Sequence, residues 1–424
     1  MAFLYPFINF WQPGILWPWL AALKPMLLLS IISVATALSD KNTSVAQQVS
    51  FLKHPTFVLL CVYAFINVIS VYYSGVSSMI SEFNAWYIYP LMVAISFLLC
   101  RDEKRLTQYV WGMLCGGALV VAWGINHHFT RPAIEAGKPS GAYGLYDNHN
   151  DFTFILLTLL PFAWLLIRNT PKLLPRIFLV ALCVGCVTGI VISLSRGGIL
   201  VLALEVIMIA WLSMRGGKRV MVLGLLLAAA PVAIIHQFNA RDEGTTNDYT
   251  AETAKTSRYE LWTAAGRMVI KHPFLGVGSR RFREFSSDYN EISHDNKGKV
   301  AHNTFLEIAA GSGLLGIGTF LAMLWYSLSP LYRSLRAGVQ TTDAVSTIRM
   351  ATFIASISII VRCNLDAKIF DTCIFTLLIL AVASSRLTSE AQATDGSTPP
   401  EAKPERTRYR SSSKVYPSAR ERSA

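Results

Sequence analysis

Apolar stretches of about 18 to 25 residues recur along this chain of 424 residues, each closed by a short cluster of charge, glycine or proline. An α-helix rising 1.5 Å per residue needs about 20 such residues to cross a bilayer's hydrocarbon core. The pattern predicts spans at about 20–38, 54–73, 82–99, 106–127, 150–167, 175–194, 197–214, 218–236, 303–329, 347–363 and 369–386. Residues 3–19 are also apolar but contain Pro6, Pro13 and Pro18. Proline breaks the helical hydrogen-bond ladder, so this segment is expected to be a short first span or a re-entrant element. Pro90, Pro161 and Pro231 fall inside predicted spans, where packing against neighbours accommodates a kink.

Composition agrees with the pattern. Hydrophobic residues make up 53% of the chain and mean hydropathy is +0.41, well outside the soluble range. The expected fold class is an all-α, polytopic integral membrane protein of about 11–12 transmembrane helices with one large external loop. Residues 1–387 form the membrane domain with loop 237–302 inserted, and 388–424 read as a disordered, basic cytoplasmic tail, rich in serine and charge. Attraction of that tail to anionic inner-leaflet lipids is one reading, and a solvated tail without function is the plainer one. No lysine or arginine precedes Lys24 and no cleavage site follows a short apolar core, so the N-terminal segment is expected to be retained.

The positive charges sort by loop. Lys41 and Lys53, then Arg101, Lys104 and Arg105, then Arg168, Lys172 and Arg176, then Arg215, Lys218 and Arg219, then Arg333 and Arg336 fall in every second connection. Alternate connections hold few, namely Arg131 and Lys138 in 128–149, Arg196 in its turn, and Lys368. By the positive-inside rule the loops at 128–149, 195–198 and 237–302 face outward and the C-terminus lies in the cytoplasm. The net charge of +12 is then mostly topological, and nucleic acid is not an expected partner. Membrane lipids are.

Cys61, Cys100, Cys115, Cys183, Cys186, Cys363 and Cys373 all sit in or at the ends of spans and behave as small hydrophobes. Cys183 and Cys186 have redox or metal spacing but no acidic or histidine neighbour in the apolar run. No Asp-x-Asp pair occurs, so neither a metal nor another cofactor is expected.

Charged residues at a bilayer boundary are costly and therefore informative. Arg196 lies in Ser193-Leu-Ser195-Arg196-Gly197-Gly198, a tight connection whose glycines permit N–H groups to face a phosphate and whose Ser195 adds a donor. Snorkelling to headgroups is the bland alternative. In the external loop, Ser257 and Glu260 have capping-box spacing ahead of an apolar face of Leu261, Trp262, Ala265, Met268 and Val269 that ends at His272-Pro273. Arg258 and Arg267 point to opposite sides of such a helix, and Arg258, in its expected first turn, is the better anion ligand. His302, in Ala301-His302-Asn303-Thr-Phe-Leu-Glu307, opens a span carrying Gly311, Gly313, Gly316 and Gly318, which permit close approach of another helix or a lipid chain. Its imidazole suits general-base work on a hydroxyl, or anchors to headgroups. Asn148 and Asn150 bind sugar hydroxyls or cap a helix, with His149 as a lesser candidate base. Glu205 and Glu307, inside apolar runs, are expected to pair with nearby polar groups.

Together these segments resemble the O-antigen ligase/polymerase superfamily of bacterial inner-membrane glycosyltransferases. The residues that carry the resemblance are Ser195-Arg-Gly-Gly198, Arg258-x-x-x-Trp262 followed by His272-Pro-Phe-Leu-Gly276-x-Gly278, and Ala301-His302-Asn303-Thr-Phe-Leu followed by Gly311-x-Gly313; Asn148-His-Asn150-Asp is a further element, with histidine where proline is usual. The resemblance implies transfer of a glycan from undecaprenyl diphosphate to an acceptor hydroxyl on the periplasmic face, without metal, with inversion. Arg196 and Arg258 would bind the diphosphate and His302 would activate the acceptor. Asn148, Asn150, Ser195, Asn303 and Trp262 would line the substrate site. Lipid A–core is the expected acceptor. A growing O-antigen or exopolysaccharide (polymerase) or a protein hydroxyl (O-oligosaccharyltransferase) stays open, as does, from another class, a transporter or flippase.

Overall fold

The computed structural model describes residues 1–39, 50–130, 141–214, 216–225, 251–337, 343–368 and 371–396. Helix makes up 83% of the structure and no strand occurs among the described residues, so the molecule is an all-α polytopic membrane protein. Among the described residues eight helices are long and apolar enough to cross a bilayer: α6 (Val76–Leu99), α7 (Glu103–Thr130), α8 (His149–Leu166), α9 (Leu173–Ile192), α10 (Arg196–Ser213), α13 (Thr304–Arg336), α14 (Asp343–Cys363) and α15 (Thr372–Gly396). Two shorter apolar helices, α4 (Pro25–Leu38) and α5 (Pro55–Ser70), stand at two further predicted spans. The span expected at 218–236 lies largely outside the described residues, as do residues 237–250 of the loop and everything beyond 396.

The prolines of the N-terminal segment act as punctuation. They open α2 (Pro13–Leu16) and α3 (Pro18–Ala22), which follow α1 (Leu4–Trp11), and another opens α4. At 1.5 Å per residue none of the first three crosses a bilayer alone. Instead α1 lies along α7, where only glycine fits. A Cβ on Gly112 would stand 2.1 Å from the Phe3 carbonyl oxygen, and one on Gly116 would stand 2.3 Å from that of Phe7.

Helices α8 and α15 form the centre of the bundle, with 78% of their apolar windows buried, whereas α9 and α10 are only 33% buried. Helix α8 packs on α9 and α14, α5 on α13, and α14 on α15. The long loop carries α11 (Ala251–Lys271) and α12 (Phe282–Tyr289), which enclose a separate small core of Leu261, Ala264, Ala265, Met268, Phe282, Ile292, Ala301 and Ala310.

This small core is sewn into the membrane bundle at a break in α13. Gly313 leaves helical geometry at φ +66°, and the segment Pro273–Gly278 fills the gap. Leu314 N–H donates to the Pro273 carbonyl (2.7 Å), Val277 N–H to Ala310 (2.9 Å) and Gly278 N–H to Gly311 (2.9 Å). The glycines of both motifs thus admit a loop backbone, where close approach of a helix or lipid chain was expected. A bidentate ion pair adds a second tie: Arg280 donates to Glu82 at 2.7, 3.0 and 3.1 Å, and Trp86 Nε1 donates to the same carboxylate at 2.9 Å.

Candidate functional site

Three helices begin at the same end of the bundle, each with a polar side chain closing its first turn. Asn148 Oδ1 accepts from Asn150 N at the start of α8, Ser195 Oγ from Gly198 N at α10, and Asn303 Oδ1 from Leu306 N at α13. Each such cap is worth about 1 kcal/mol. Three expected substrate ligands are therefore also structural caps. The starts of α8 and α10 are joined directly, since Ser195 Oγ donates to Asn150 Oδ1 at 2.7 Å.

The residue that binds these termini together is Arg362, near the end of α14 and only 1% exposed. It donates to Thr153 Oγ1 (3.1 Å), the Asn150 carbonyl (3.3 Å), Ser195 Oγ (3.5 Å) and Asp366 Oδ2 (3.4 Å), and its guanidinium also lies over the Phe154 ring. A buried guanidinium costs several kcal/mol unless its donors find acceptors, and here Nε and Nη2 do. Asp366 turns its other oxygen to His302, with Nδ1 3.5 Å from Oδ1. Burial would raise the Asp366 carboxyl. The hydrogen bond from His302 and the charge of Arg362 outweigh it and bring the group down to about 2.

Local chain geometry fixes His302. Its φ is +49°, an unfavourable value for a side chain with a Cβ, and both of its flanks are held. Ala301 N–H donates to Glu307 Oε2 at 2.7 Å, the Ala301 carbonyl accepts from Trp262 Nε1 at 2.8 Å, and Asn303 Nδ2 donates to the Asn364 carbonyl at 3.4 Å. Thr304 Oγ1 donates to the Asp366 carbonyl at 2.8 Å and accepts from Lys368 N–H at 2.9 Å. Glu307 thus pairs as expected. The fully buried Glu205 has Ser358 as its polar neighbour, without a hydrogen bond of ordinary geometry among the described residues.

Trp262 also orients Arg258. The two are four residues apart on one face of α11, so the tryptophan anchored at Ala301 turns Arg258 toward the same side. Arg258 is exposed, and its charge reaches the Arg362 guanidinium. Arg267, on the opposite face, donates to the Tyr289 carbonyl (3.0 Å) and Asn290 Oδ1 (2.9 Å) and serves the loop. One expectation is corrected here. Helix α11 begins at Ala251, so Ser257 and Glu260 form no capping box and Arg258 is not in a first turn. Glu260 instead accepts from Ser293 N, Ser293 Oγ and Asn296 Nδ2 at 2.9–3.1 Å. The anion-binding argument for Arg258 therefore rests on its charge and position, not on helix-end N–H groups. Arg196 is exposed at the first position of α10, directly after the Ser195 cap.

Residues 181–321 match the family model described as O-antigen ligase. The match covers about a third of the chain and supports a likeness to the O-antigen ligase/polymerase superfamily. A comparison with curated proteins finds no match. The family match includes Arg196, Arg258, Trp262, His302 and Asn303, and it implies ligase- or polymerase-type chemistry with a lipid-linked glycan and an acceptor as partners.

The site also holds polar residues that lie outside the matched segment: Asn148, Asn150, Asp151 and Thr153 before it, Arg362, Asp366 and Lys368 after it. Reading the sequence missed Arg362, Asp366 and the Asp151–Lys368 pair, whose atoms are 2.6 Å apart. A signal for Arg362 and Asp366 existed, because an arginine inside an apolar run with an aspartate four residues on is the i, i+4 pattern of a buried ion pair. Among the described residues no three His, Cys, Asp or Glu side chains gather where they could hold a metal ion.

Proposed function

We propose that this protein is a metal-independent, inverting glycosyltransferase of the O-antigen ligase type, moving a glycan from undecaprenyl diphosphate to a hydroxyl of lipid A–core at the periplasmic face of the bacterial inner membrane. The observation that carries the reading is the chain from Arg362 through Asp366 to His302. It sets His302 Nδ1 on a carboxylate, so that Nε2 would be the nitrogen to meet an acceptor.

In this reading the acceptor hydroxyl attacks the anomeric carbon from the face opposite the diphosphate. The new C–O bond forms as the bond to phosphate breaks, and undecaprenyl diphosphate departs with the electron pair. His302 Nε2 takes the hydroxyl proton, and Asp366 stabilises the imidazolium that results. Arg196 and Arg258 are the cations aimed at charge growing on the departing diphosphate. The convergent N-termini of α8 and α10 add partial positive charge in the same region. Orientation follows from charge, because the basic connections Arg101–Arg105, Arg168–Lys172 and Arg333–Arg336 lie at the end of the bundle away from His302 and would face the cytoplasm.

The test is transfer by purified protein supplied with a polyprenyl-diphosphate-linked glycan, together with rough lipopolysaccharide or a second lipid-linked unit as acceptor, in the presence of a chelator. Transfer to rough lipopolysaccharide that persists in chelator, and that His302→Ala abolishes, is the expected result. Transfer only between lipid-linked units would make the protein a polymerase. Glycolipid movement across vesicles without a new glycosidic bond would replace the enzymatic reading by transport.

A further inference from the structure

The charge of the groups near His302 bears on where each substrate lies. Arg196 and Arg258 are exposed cations. Arg362 and Asp366 cancel. Lys368 Nζ lies 2.6 Å from Asp151 Oδ2, with the buried Asp371 close enough to act on the same ammonium. One ammonium against two carboxylates leaves this cluster without net positive charge. That holds even if Asp371 takes up a proton, a change that its burial favours.

A lipid diphosphate gains little from an ammonium already neutralised at 2.6 Å, and an additional carboxylate repels it. Neutral sugar hydroxyls fit such a pair well. A carboxylate accepts two or more O–H groups, an ammonium donates three N–H bonds, and neither partner must pay to desolvate a second full charge. The pair is partly exposed, with side-chain exposures of 14% for Lys368 and 24% for Asp151. Its position relative to the base is fixed by the backbone, because Lys368 N–H is held by Thr304 Oγ1, two residues after His302. Asp151 follows Asn150, whose carbonyl accepts from Arg362.

Resting on the glycosyltransferase reading, we infer that the Asp151–Lys368 pair is the acceptor subsite: it grips hydroxyls flanking the one that His302 deprotonates, while Arg196 and Arg258 hold the donor diphosphate. The pair would set acceptor specificity, since a site built to hydrogen-bond a hydroxyl rejects a ligand that lacks it.

Initial rates with purified full-length protein decide this, using a polyprenyl-diphosphate-linked disaccharide as donor and rough lipopolysaccharide or a second lipid-linked unit as acceptor. Asp151→Asn and Lys368→Met are expected to raise acceptor KM about ten-fold or more, leaving donor KM and hydrolysis of the donor by water within about two-fold. Lys368→Arg should recover most of the loss. A rise in donor KM in Lys368→Met would assign the ammonium to the diphosphate and overturn the inference, as would an unchanged acceptor KM in both variants. Should the single variants fail to fold, the exchanged pair Asp151→Lys with Lys368→Asp keeps the ion pair. It must still raise acceptor KM, and wild-type values there would refute the assignment. Wild-type protein that transfers to neither acceptor would instead remove the enzymatic reading itself.

Discussion

Replacing Asp366 by asparagine keeps the size of the side chain and removes its charge, so it isolates what the carboxylate does for His302. Two magnitudes bracket the effect. Full Coulomb attraction between an imidazolium and a carboxylate 3.5 Å apart is about 5 kcal/mol at an effective dielectric constant of 20. The fall of the Asp366 carboxyl from 3.8 to about 2 corresponds to about 2 kcal/mol of net preference for the charged form after its burial has been offset. Between these limits the transfer step should slow by about 30-fold to a few thousand-fold. The assay is single-turnover transfer under saturating donor and acceptor, which excludes binding and product release. Asp366→Asn also strands the buried Arg362 guanidinium, and losing one partner of a buried pair costs about 3–5 kcal/mol of stability. The double variant Arg362→Met, Asp366→Asn separates the two effects. It should regain much of the thermal stability and none of the rate. A well-folded Asp366→Asn protein that transfers at more than a third of the wild-type rate would refute the role given to this carboxylate. The pH dependence has a definite sign. Because the folded value is the lower one, the stability contributed by Asp366 is complete above about pH 4 and disappears as pH falls through about 2. The difference in thermal midpoint between wild type and Asp366→Asn should therefore shrink as pH falls below about 4.

Four further outcomes are expected. Arg196→Ala and Arg258→Ala should each reduce transfer by about 10²–10³ with little change in thermal midpoint, while Arg267→Ala, whose guanidinium serves Tyr289 and Asn290, should alter the rate by less than ten-fold; equal losses in all three would deny the sidedness of α11. Gly313→Ala places a Cβ 2.2 Å from the Phe274 carbonyl oxygen at a φ of +66°, and a loss of about 2–4 kcal/mol is expected in a denaturation series, whereas Gly318→Ala, with nothing within 4 Å, should stay within about 0.5 kcal/mol. Glu82→Gln removes the carboxylate that grips Arg280 and should speed hydrogen exchange across residues 273–281 while leaving α8 and α15 unchanged. Trp262→Phe keeps the ring but loses the bond to the Ala301 carbonyl, and it should lower the transfer rate more than it lowers the thermal midpoint.

What the sequence made legible was whatever depends on local chemistry. Ser195 before Arg-Gly-Gly and Asn303 after His302 are helix starts that any chain would use, and the apolar period located the spans without reference to their partners. What it concealed depends on partners distant in the chain. The Ser257-x-x-Glu260 spacing resembles a cap, yet the glutamate's true partners are Ser293 and Asn296, and the helix starts at Ala251. The glycines of residues 311–318 suggested helix packing, but the break at Gly313 exists only because Pro273–Gly278 fills it. Arg362 and Asp366 stood at the end of a predicted span, where charge reads as a membrane boundary, until their bonds to Asn150, Ser195 and His302 gave them another meaning.

Backbone strain reinforces this placement. Among the described residues, five that are not glycine have positive φ, and Leu194, Arg280 and His302 are three of them. Each costs about 1–2 kcal/mol relative to ordinary geometry, and such conformations persist only where surroundings enforce them. Leu194 lies between Ser193 and Ser195, Arg280 is gripped by Glu82, and His302 stands between anchored neighbours with its ring on Asp366. Leu194 and His302 immediately precede the caps or lead residues of α10 and α13, so the strain sets the angle at which Arg196 and the imidazole leave the backbone. A membrane bundle needs no such conformations to pack its helices. Their presence at the two turns proposed to supply the diphosphate ligand and the base, with Asn150 and Arg362 binding those turns together, is what a site built to hold separate groups in one geometry requires.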